Sequence, residues 1–317
     1  MALLNRVLAD PPLGTGIRRN VSCMDNRAEV RQFLSTRRGR ITPEQAGIEP
    51  YGGRRRVPGL RREEVARLAG VSVDYYTRLE RGNLSGVSDS VLDAIAGALE
   101  LDRAEHDHLY DLARTANMSG RKRAAAPAPS GVRPELRYLL DTITGAPAFI
   151  GNNRMDIVAA NTLGYALYSD MYRGPGRPAN HSRFIFLDPR AHNFYTDWER
   201  AASTNVAILR REAGRNPHDK GIAELIGELS MRSDEFRTRW AAHNVRRHYA
   251  GTKFFQHPVV GLLELNYQVL GLEEDPGHSL TVYPATPGSP SEEALKLLAS
   301  WAVTENIAEL AEANARG

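Results

Sequence analysis

Residues 60–83 alternate between apolar and polar positions with the period of a helix, in two short runs separated by a glycine. Gly70 ends the first run, because glycine accepts the positive φ of a helix terminus without strain. Ser72 is a favourable N-cap for the second run, in which Tyr76 and Leu79 share one buried face. This pattern predicts a helix-turn-helix, a motif whose second helix enters the major groove of DNA.

The same helical period predicts three more helices around this motif, over residues 26–38, 88–99 and 103–116. Residues 39–58, which precede the motif, are rich in glycine, proline and arginine. This loop is long for a connection between helices, and such loops are usually functional or mobile. We therefore predict a five-helix domain over residues 24–116, preceded by a disordered extension over residues 1–23.

The second half of the chain has a different pattern. Prolines and low complexity predict a linker over residues 117–131. In residues 132–317, alternation of apolar and polar positions predicts strands at 148–151, 155–160, 263–269 and 279–285. Helical periodicity predicts the remaining elements over residues 134–144, 161–171, 195–213, 219–231, 233–243 and 291–313. Strand pairs, inserted helices and closing strands suggest a PAS-like sensor built around a central sheet.

Residues 60–83 resemble the Xre-type helix-turn-helix of phage repressors. The longer run RRRVPGLRREEVARLAGVSVDYYTRLERG, residues 54–82, is similar to the MmyB-like transcription regulators of actinobacteria, and the similarity covers nearly all of residues 24–300. This resemblance implies that the C-terminal half is a PAS-like ligand-binding domain, of a kind that holds a long acyl chain. The predicted fold class is mainly α with α/β, with an N-terminal five-helix Xre-type domain.

Charge supports a nucleic-acid partner for the first half. Residues 37–62 contain eight arginines and two acids, while the whole chain has a net charge of only +3. A basic run next to a helix-turn-helix favours phosphate binding and a double-stranded DNA operator as partner. The predicted phosphate contacts are Arg54, Arg55, Arg56, Arg61 and Arg62. The face opposite Tyr76 and Leu79, with its flanking positions, supplies the other DNA contacts: Ser72, Val73, Asp74, Tyr75, Thr77 and Arg78. By position in the motif, the resemblance to phage repressors implies Val73, Asp74 and Arg78 as the base readers.

Catalytic and metal-binding patterns are not found in the sequence. The single cysteine, Cys23, allows no internal disulfide and fits a reducing cytoplasm, where a nucleoid-associated protein acts. His243 and His248, five residues apart, do not share a helix face, and no cysteine pair accompanies them. Nucleotide-binding and nucleophile-elbow motifs are missing too, and no apolar run reaches the ~20 residues of a membrane span. We therefore expect no enzyme activity, no cofactor, no metal and no membrane partner.

Aromatic residues of the second half are candidates for a ligand pocket. An aromatic stripe is more often core than pocket, but the resemblance favours an apolar pocket with a polar group at its mouth. The candidate lining residues are Phe184, Phe186, Trp198, Trp240, Tyr249 and Tyr267. The candidate head-group partners are Arg183 and Arg246, with His181, His243 and Asn244 as further possibilities. Relatives typically have Arg-Asn where this chain has His181 to Arg183, so the ligand contacts of relatives cannot be assigned to these residues.

These observations predict a homodimeric, sequence-specific DNA-binding regulator that senses a small apolar ligand, such as a fatty acid or acyl derivative. Two alternatives remain open for the C-terminal half: a ligand-free dimerisation platform, or a domain that processes acyl compounds. The last predicted helix has apolar residues on more than one face, and we expect it to be buried against the partner or the sensor core. Those residues are Leu295, Leu298, Trp301, Ile307 and Leu310.

Overall fold

The computed structural model describes residues 26–48, 58–118, 131–173, 178–242 and 250–306. The N-terminal part consists of helices packed around one apolar core. They are α1 (Asn26–Arg40), α2 (Arg62–Leu68), α3 (Val73–Glu80), α4 (Asp89–Ala98) and α5 (Arg103–Met118). This order and spacing confirm the predicted helices, and α5 extends two residues into the predicted linker.

The sequence explains how α2 and α3 form a helix-turn-helix. Gly70 has φ of 65°, and the Ser72 side chain accepts a hydrogen bond from the Tyr75 backbone N–H at 3.1 Å. Tyr76 and Leu79 are completely buried, as predicted. Gly82 follows α3 with φ of 98°, and a Cβ there would lie 2.5 Å from the carbonyl oxygen of Arg27. The end of α3 therefore packs directly on the backbone of α1.

The C-terminal part is built on a five-stranded antiparallel sheet with the order β2-β1-β5-β4-β3. The strands are β1 (Ala148–Asn152), β2 (Ile157–Ala160), β3 (Ala250–His257), β4 (Gly261–Gly271) and β5 (His278–Val282). The predicted alternation holds in β4, where Leu263 and Leu265 are fully buried and the intervening Glu264 is exposed. Strand β3 has no counterpart among the strands that the sequence predicts.

Helices cover both faces of this sheet. They are α6 (Pro134–Thr142), α7 (Thr162–Leu167), α8 (Ser169–Tyr172), α9 (His181–Leu187), α10 (Arg190–Phe194), α11 (Trp198–Arg215), α12 (Lys220–Arg232), α13 (Asp234–Ala241) and α14 (Pro290–Thr304). Leu140 of α6 packs with Ala148, Ile150 and Leu280 on one face. The larger core lies on the other face, where α7, α9, α10 and α14 pack against Phe255, Leu263 and Leu265.

Several predicted boundaries need correction. The helix predicted over 161–171 is divided at Tyr168 into α7 and α8, and α9 and α10 were not predicted. The N-cap of α14 is Ser289, whose hydroxyl accepts the Glu292 N–H, rather than Ser291. Ser291 is buried instead and accepts a hydrogen bond from the Glu264 backbone N–H of β4 at 2.8 Å. Leu295 and Leu298 of α14 are buried in the sensor core, which was one of the two expected places of burial, the other being the partner subunit. Ile307 and Leu310 lie outside the described residues.

Candidate functional site

The outer face of α3 is the exposed surface of the helix-turn-helix. Ser72, Val73, Asp74 and Arg78 are exposed there, and Val73 retains 46% of its accessible surface. The arrangement confirms that α3 has one buried and one exposed face; that the exposed face reads DNA stays a prediction. An open recess of about 460 Å³ lies along this face, lined by Arg27, Asp74, Thr77, Arg78, Arg81 and Asn83. The sequence pattern predicts none of Arg27, Arg81 and Asn83 as DNA contacts. Arg27 reaches this surface only because Gly82 packs against α1.

Arg78 is oriented by its neighbour on the same helix. Its guanidinium carbon lies 4.9 Å from the centroid of the Tyr75 ring, within the range of a cation–π contact. Tyr75 is half-buried against the core of the domain, so its ring is a fixed support. This contact limits the conformations of the Arg78 side chain before any DNA is bound.

Arg62 occupies a different environment from the other predicted phosphate contacts. Both Arg62 and Arg38 donate to the buried carboxylate of Glu80, with bonds of 2.9–3.1 Å. Burial raises the pKa of Glu80, but the hydrogen bonds and charges of the two arginines outweigh burial, and its pKa is lower than usual. Arg62 therefore links α2 to α3, although half of its side chain stays exposed. Arg61 is exposed beside Glu63, and Arg54, Arg55 and Arg56 lie outside the described residues.

Three of the predicted ligand-lining residues lie in one chain of aromatic contacts. Phe186 makes edge contacts with Trp198 and Phe236, at centroid distances of 6.2 and 5.1 Å. Phe236 stacks on Trp240 at 5.5 Å. Phe184 is buried separately, against Phe194 and Tyr195. Tyr267 has its ring contact with Tyr283 at the sheet, and Tyr249 lies outside the described residues.

The predicted head-group residues have distinct surroundings. Arg183 donates to Glu228 at 2.9 Å, so its charge already has a carboxylate partner within the chain. His181 is buried, and its Nε2 has no hydrogen-bond partner among the described residues. Burial, reinforced by the charge of Lys253, lowers the pKa of His181 to about 3, so its ring is neutral near pH 7. Arg246, His243 and Asn244 lie outside the described residues.

A buried ion pair joins the helix-turn-helix domain to the sheet domain. Arg210 of α11 donates from Nη1 to Oε1 of Glu29 in α1 at 2.6 Å, and the two side chains are 0% and 6% exposed. The Arg210 guanidinium also lies 4.0 Å from the centroid of the Trp240 ring and donates to the Trp240 carbonyl oxygen. One arginine therefore contacts both the DNA-binding domain and the aromatic chain that contains predicted ligand-lining residues. No sequence pattern marks this pair, because its members are 181 residues apart.

A second contact lies beside the ion pair, between α5 and α11. Asp111 is buried and accepts from Arg215 Nε at 2.6 Å, and the Thr115 hydroxyl donates to the Gly214 carbonyl oxygen at 3.2 Å. Gly214 allows a close approach, since a Cβ there would lie 2.8 Å from Cε1 of His108. The His108 ring is fully buried, which lowers its pKa, and its Nε2 is 3.8 Å from Glu29.

The described residues form neither a metal-ion site nor a membrane-spanning helix. Among them, no group of three or more His, Cys, Asp or Glu side chains could hold a metal ion. None of the described helices is long and apolar enough to cross a membrane.

Comparison with known families gives the two halves separate matches. The family model of the MmyB-like transcription regulator ligand binding domain matches residues 132–298, which is more than half of the chain. A helix-turn-helix domain model matches residues 29–109. No curated protein matches the chain. The matched regions coincide with the sheet domain and the helical domain, so the chain belongs to the MmyB-like transcription regulators, DNA-binding regulators that respond to a ligand.

Proposed function

We propose that this regulator binds a two-fold symmetric DNA operator as a homodimer, and that a fatty acid or acyl derivative held in its PAS-like domain alters the DNA affinity. Acting on chromosomal DNA, it would work in the cytoplasm at the nucleoid. The observation that carries the proposal is the buried Glu29–Arg210 pair, because it joins the two matched domains through side chains that are almost completely buried.

The α3 surface supports operator reading. Arg78, oriented by Tyr75, is long enough to reach O6 and N7 of guanine, and the exposed Val73 can pack on a thymine methyl. Asp74 is exposed on the same face. Arg61 and the Arg54 to Arg56 triplet would contact the phosphate backbone, which positions the helix without reading sequence. A single domain of this size buries too little for typical operator affinity, which favours two half-sites about 34 Å apart.

The sheet domain supports an apolar ligand. Along the chain, the paired strands β1 and β2 come first, helices α7 to α13 follow, and strands β3 to β5 complete the sheet. This is the order expected of a PAS-like domain. The inserted helices supply Phe184, Phe186, Trp198 and Trp240. A saturated chain that enters this apolar layer gains about 0.8 kcal/mol for each buried methylene. Ten or more methylenes would therefore give tight binding even after the costs of association.

The ion pair supplies a route from ligand to DNA. A ligand that moves Phe186 or Trp198 acts on Phe236 and Trp240, and the Trp240 ring and carbonyl hold Arg210. Arg210 in turn donates a hydrogen bond to Glu29 of α1. Glu29 is two residues along the chain from Arg27, which lies at the edge of the α3 surface. The ligand changes DNA affinity only if it prefers one of two arrangements of this contact.

Two measurements test the ligand class. Mass spectrometry of an organic extract of purified protein would identify a co-purified acyl compound. A thermal shift series with saturated fatty acids of increasing length should show a Tm that rises with chain length and then levels off where the pocket ends. No stabilisation at any length would favour the ligand-free dimerisation platform, whereas turnover of an added acyl compound would favour an enzyme.

A further inference from the structure

Lys253 is a cationic side chain on the inner face of the sheet. It lies on β3 directly opposite Leu265 of β4, and opposed residues of antiparallel strands project to the same face. Leu265 is fully buried in the main core, so the Lys253 side chain is directed toward that core and is half-buried. An ammonium in such a position loses hydration that only a compensating partner restores.

The partners of Lys253 are hydroxyl and ring groups. Its Nζ donates to the Tyr283 hydroxyl at 3.0 Å and lies 5.2 and 5.3 Å from the ring centroids of Tyr267 and Tyr283. Within the described ranges, no carboxylate forms an ion pair with Lys253. This distinguishes Lys253 from Arg183, which is paired with Glu228.

Further polar groups converge on the same place. The Tyr283 hydroxyl is 3.1 Å from the Tyr168 hydroxyl, and Tyr195 lies beside both. The His181 ring packs edge-on against Tyr168 at a centroid distance of 4.8 Å, with Nε2 unpaired among the described residues. We call Lys253, Tyr168, Tyr195, Tyr283 and His181 the Lys253 cluster; its members come from five separate elements or their ends.

The cluster contains one cation and no anion. Burial raises the pKa of Tyr168 and of Tyr195, so both phenols keep their protons. The low pKa of His181 keeps its ring uncharged. The apolar residues Phe149, Phe194 and Phe255 surround the tyrosines with ring contacts. The cluster is therefore a set of donors around one positive charge, next to an apolar core.

We propose that the Lys253 cluster is the anion subsite of the ligand-binding domain and receives the carboxylate of an amphiphilic carboxylic acid. This inference rests on the proposed ligand-sensing function and narrows its ligand to acids. A carboxylate accepts one charge-assisted bond from Lys253 and further bonds from the tyrosine hydroxyls, whereas a primary alcohol leaves the ammonium without a counter-charge. The acyl tail packs against the apolar residues of the same core.

The test compares dodecanoic acid and 1-dodecanol on delipidated full-length protein. The variant is Lys253→Met, which keeps the length of the side chain and removes its charge. The matched control is Lys296→Met, because Lys296 is exposed on α14 and pairs with Glu293. The wild type and the control should bind the acid about 10- to 100-fold more tightly than the alcohol, the range expected for a hydrogen-bonded charge. Lys253→Met should lose this preference while its affinity for the alcohol stays unchanged.

The outcomes separate the subsite from the wider function. Equal binding of acid and alcohol by the wild type would overturn the subsite and leave an apolar sensor. Binding of neither compound would contradict both the subsite and the acyl-sensing function. The Tm of the ligand-free protein gives a second criterion. Lys253→Met loses the Tyr283 hydrogen bond and the two ring contacts but also removes a half-buried charge, so the two effects oppose each other and the Tm should change little. A marked fall in Tm with an unaltered acid preference would make Lys253 a structural residue.

Discussion

Arg210 and Glu29 form a 2.6 Å ion pair that is almost entirely inaccessible to solvent, although one residue belongs to the ligand-binding domain and the other to the DNA-binding domain. Burial lowers the pKa of Arg210, while the adjacent Glu29 carboxylate opposes this effect. A buried pair of this kind adds little net stability over an apolar substitute, but loss of one member is costly. The pair therefore makes the relative placement of the two domains sensitive to either side chain.

Glu29→Gln should destabilise the protein by about 3–5 kcal/mol, because it leaves the Arg210 charge buried without a counter-charge. Equilibrium unfolding in denaturant measures this loss. The double variant Glu29→Leu/Arg210→Met should recover most of it, since neither charge remains. Arg237→Gln is the control: its pair with Asp234 is exposed and should contribute less than about 1 kcal/mol. Equal losses in Glu29→Gln and Arg237→Gln would contradict the importance of burial.

Gly214→Ala tests the close approach of α5 and α11. The added methyl group would collide with the buried His108 ring, and overpacking of this kind costs about 1–3 kcal/mol. Gly227→Ala is a matched control, because Gly227 lies within α12 with no atom near the position of its Cβ. That control should raise stability by about 0.5–1 kcal/mol through the better helix propensity of alanine. Thermal unfolding gives the Tm of both variants. Similar shifts in Tm would show that α5 and α11 are not in close contact at Gly214.

Arg78→Ala should weaken binding to the selected operator by about 1–3 kcal/mol and relax specificity at one base pair. An operator can be selected from random DNA, and the affinity of each variant for it can be measured by fluorescence anisotropy. Arg61→Ala should behave differently, reducing the slope of log affinity against log salt by about one, as expected of a phosphate contact. Equal weakening of operator and random DNA by Arg78→Ala would assign Arg78 to the backbone instead.

Acid should destabilise the ligand-binding domain through His181. Its folded pKa of about 3 lies below the value of about 6.5 for an unfolded histidine. Between these values the unfolded state binds the extra proton, so stability is complete above pH 6.5 and falls as pH decreases, by up to about 1.4 kcal/mol per pH unit. His181→Phe should reduce this dependence in unfolding experiments from pH 7 to pH 4; the part that remains is expected from His108 and His257, whose pKa values burial also lowers.

Local patterns predicted the helix-turn-helix well, for identifiable physical reasons. Gly70, Ser72, Tyr76 and Leu79 act through their own backbone and nearest turns, so their roles can be read from spacing alone. Strand β4 alternates because one face is buried and the other exposed. Strand β3 escaped prediction because Lys253 interrupts the apolar positions of its inner face and the adjacent Phe254 is exposed on the other.

Features that depend on distant residues could not be predicted. The sequence predicts Arg62 as a phosphate contact, but it does not show that Arg62 and Arg38 both donate hydrogen bonds to the Glu80 carboxylate. The sequence likewise predicts Arg183 as a head-group partner, but it does not show that α12 places Glu228 within hydrogen-bond distance of the Arg183 guanidinium. The contact of Arg210 with Glu29 needs both domains to be folded, and isolated charges carry no periodic signal that would reveal it.

Control of DNA affinity by the ligand-binding domain, as we propose it, passes through the Glu29–Arg210 contact. The most direct measurement is operator affinity with and without saturating dodecanoic acid, for the wild type and for Glu29→Leu/Arg210→Met. The wild type should change its affinity by a factor of about 5–150, the usual range of allosteric coupling. The double variant should still bind operator and acid, each with the affinity unaffected by the other. An unchanged ligand response in the double variant, or no response in the wild type, would contradict control through this contact.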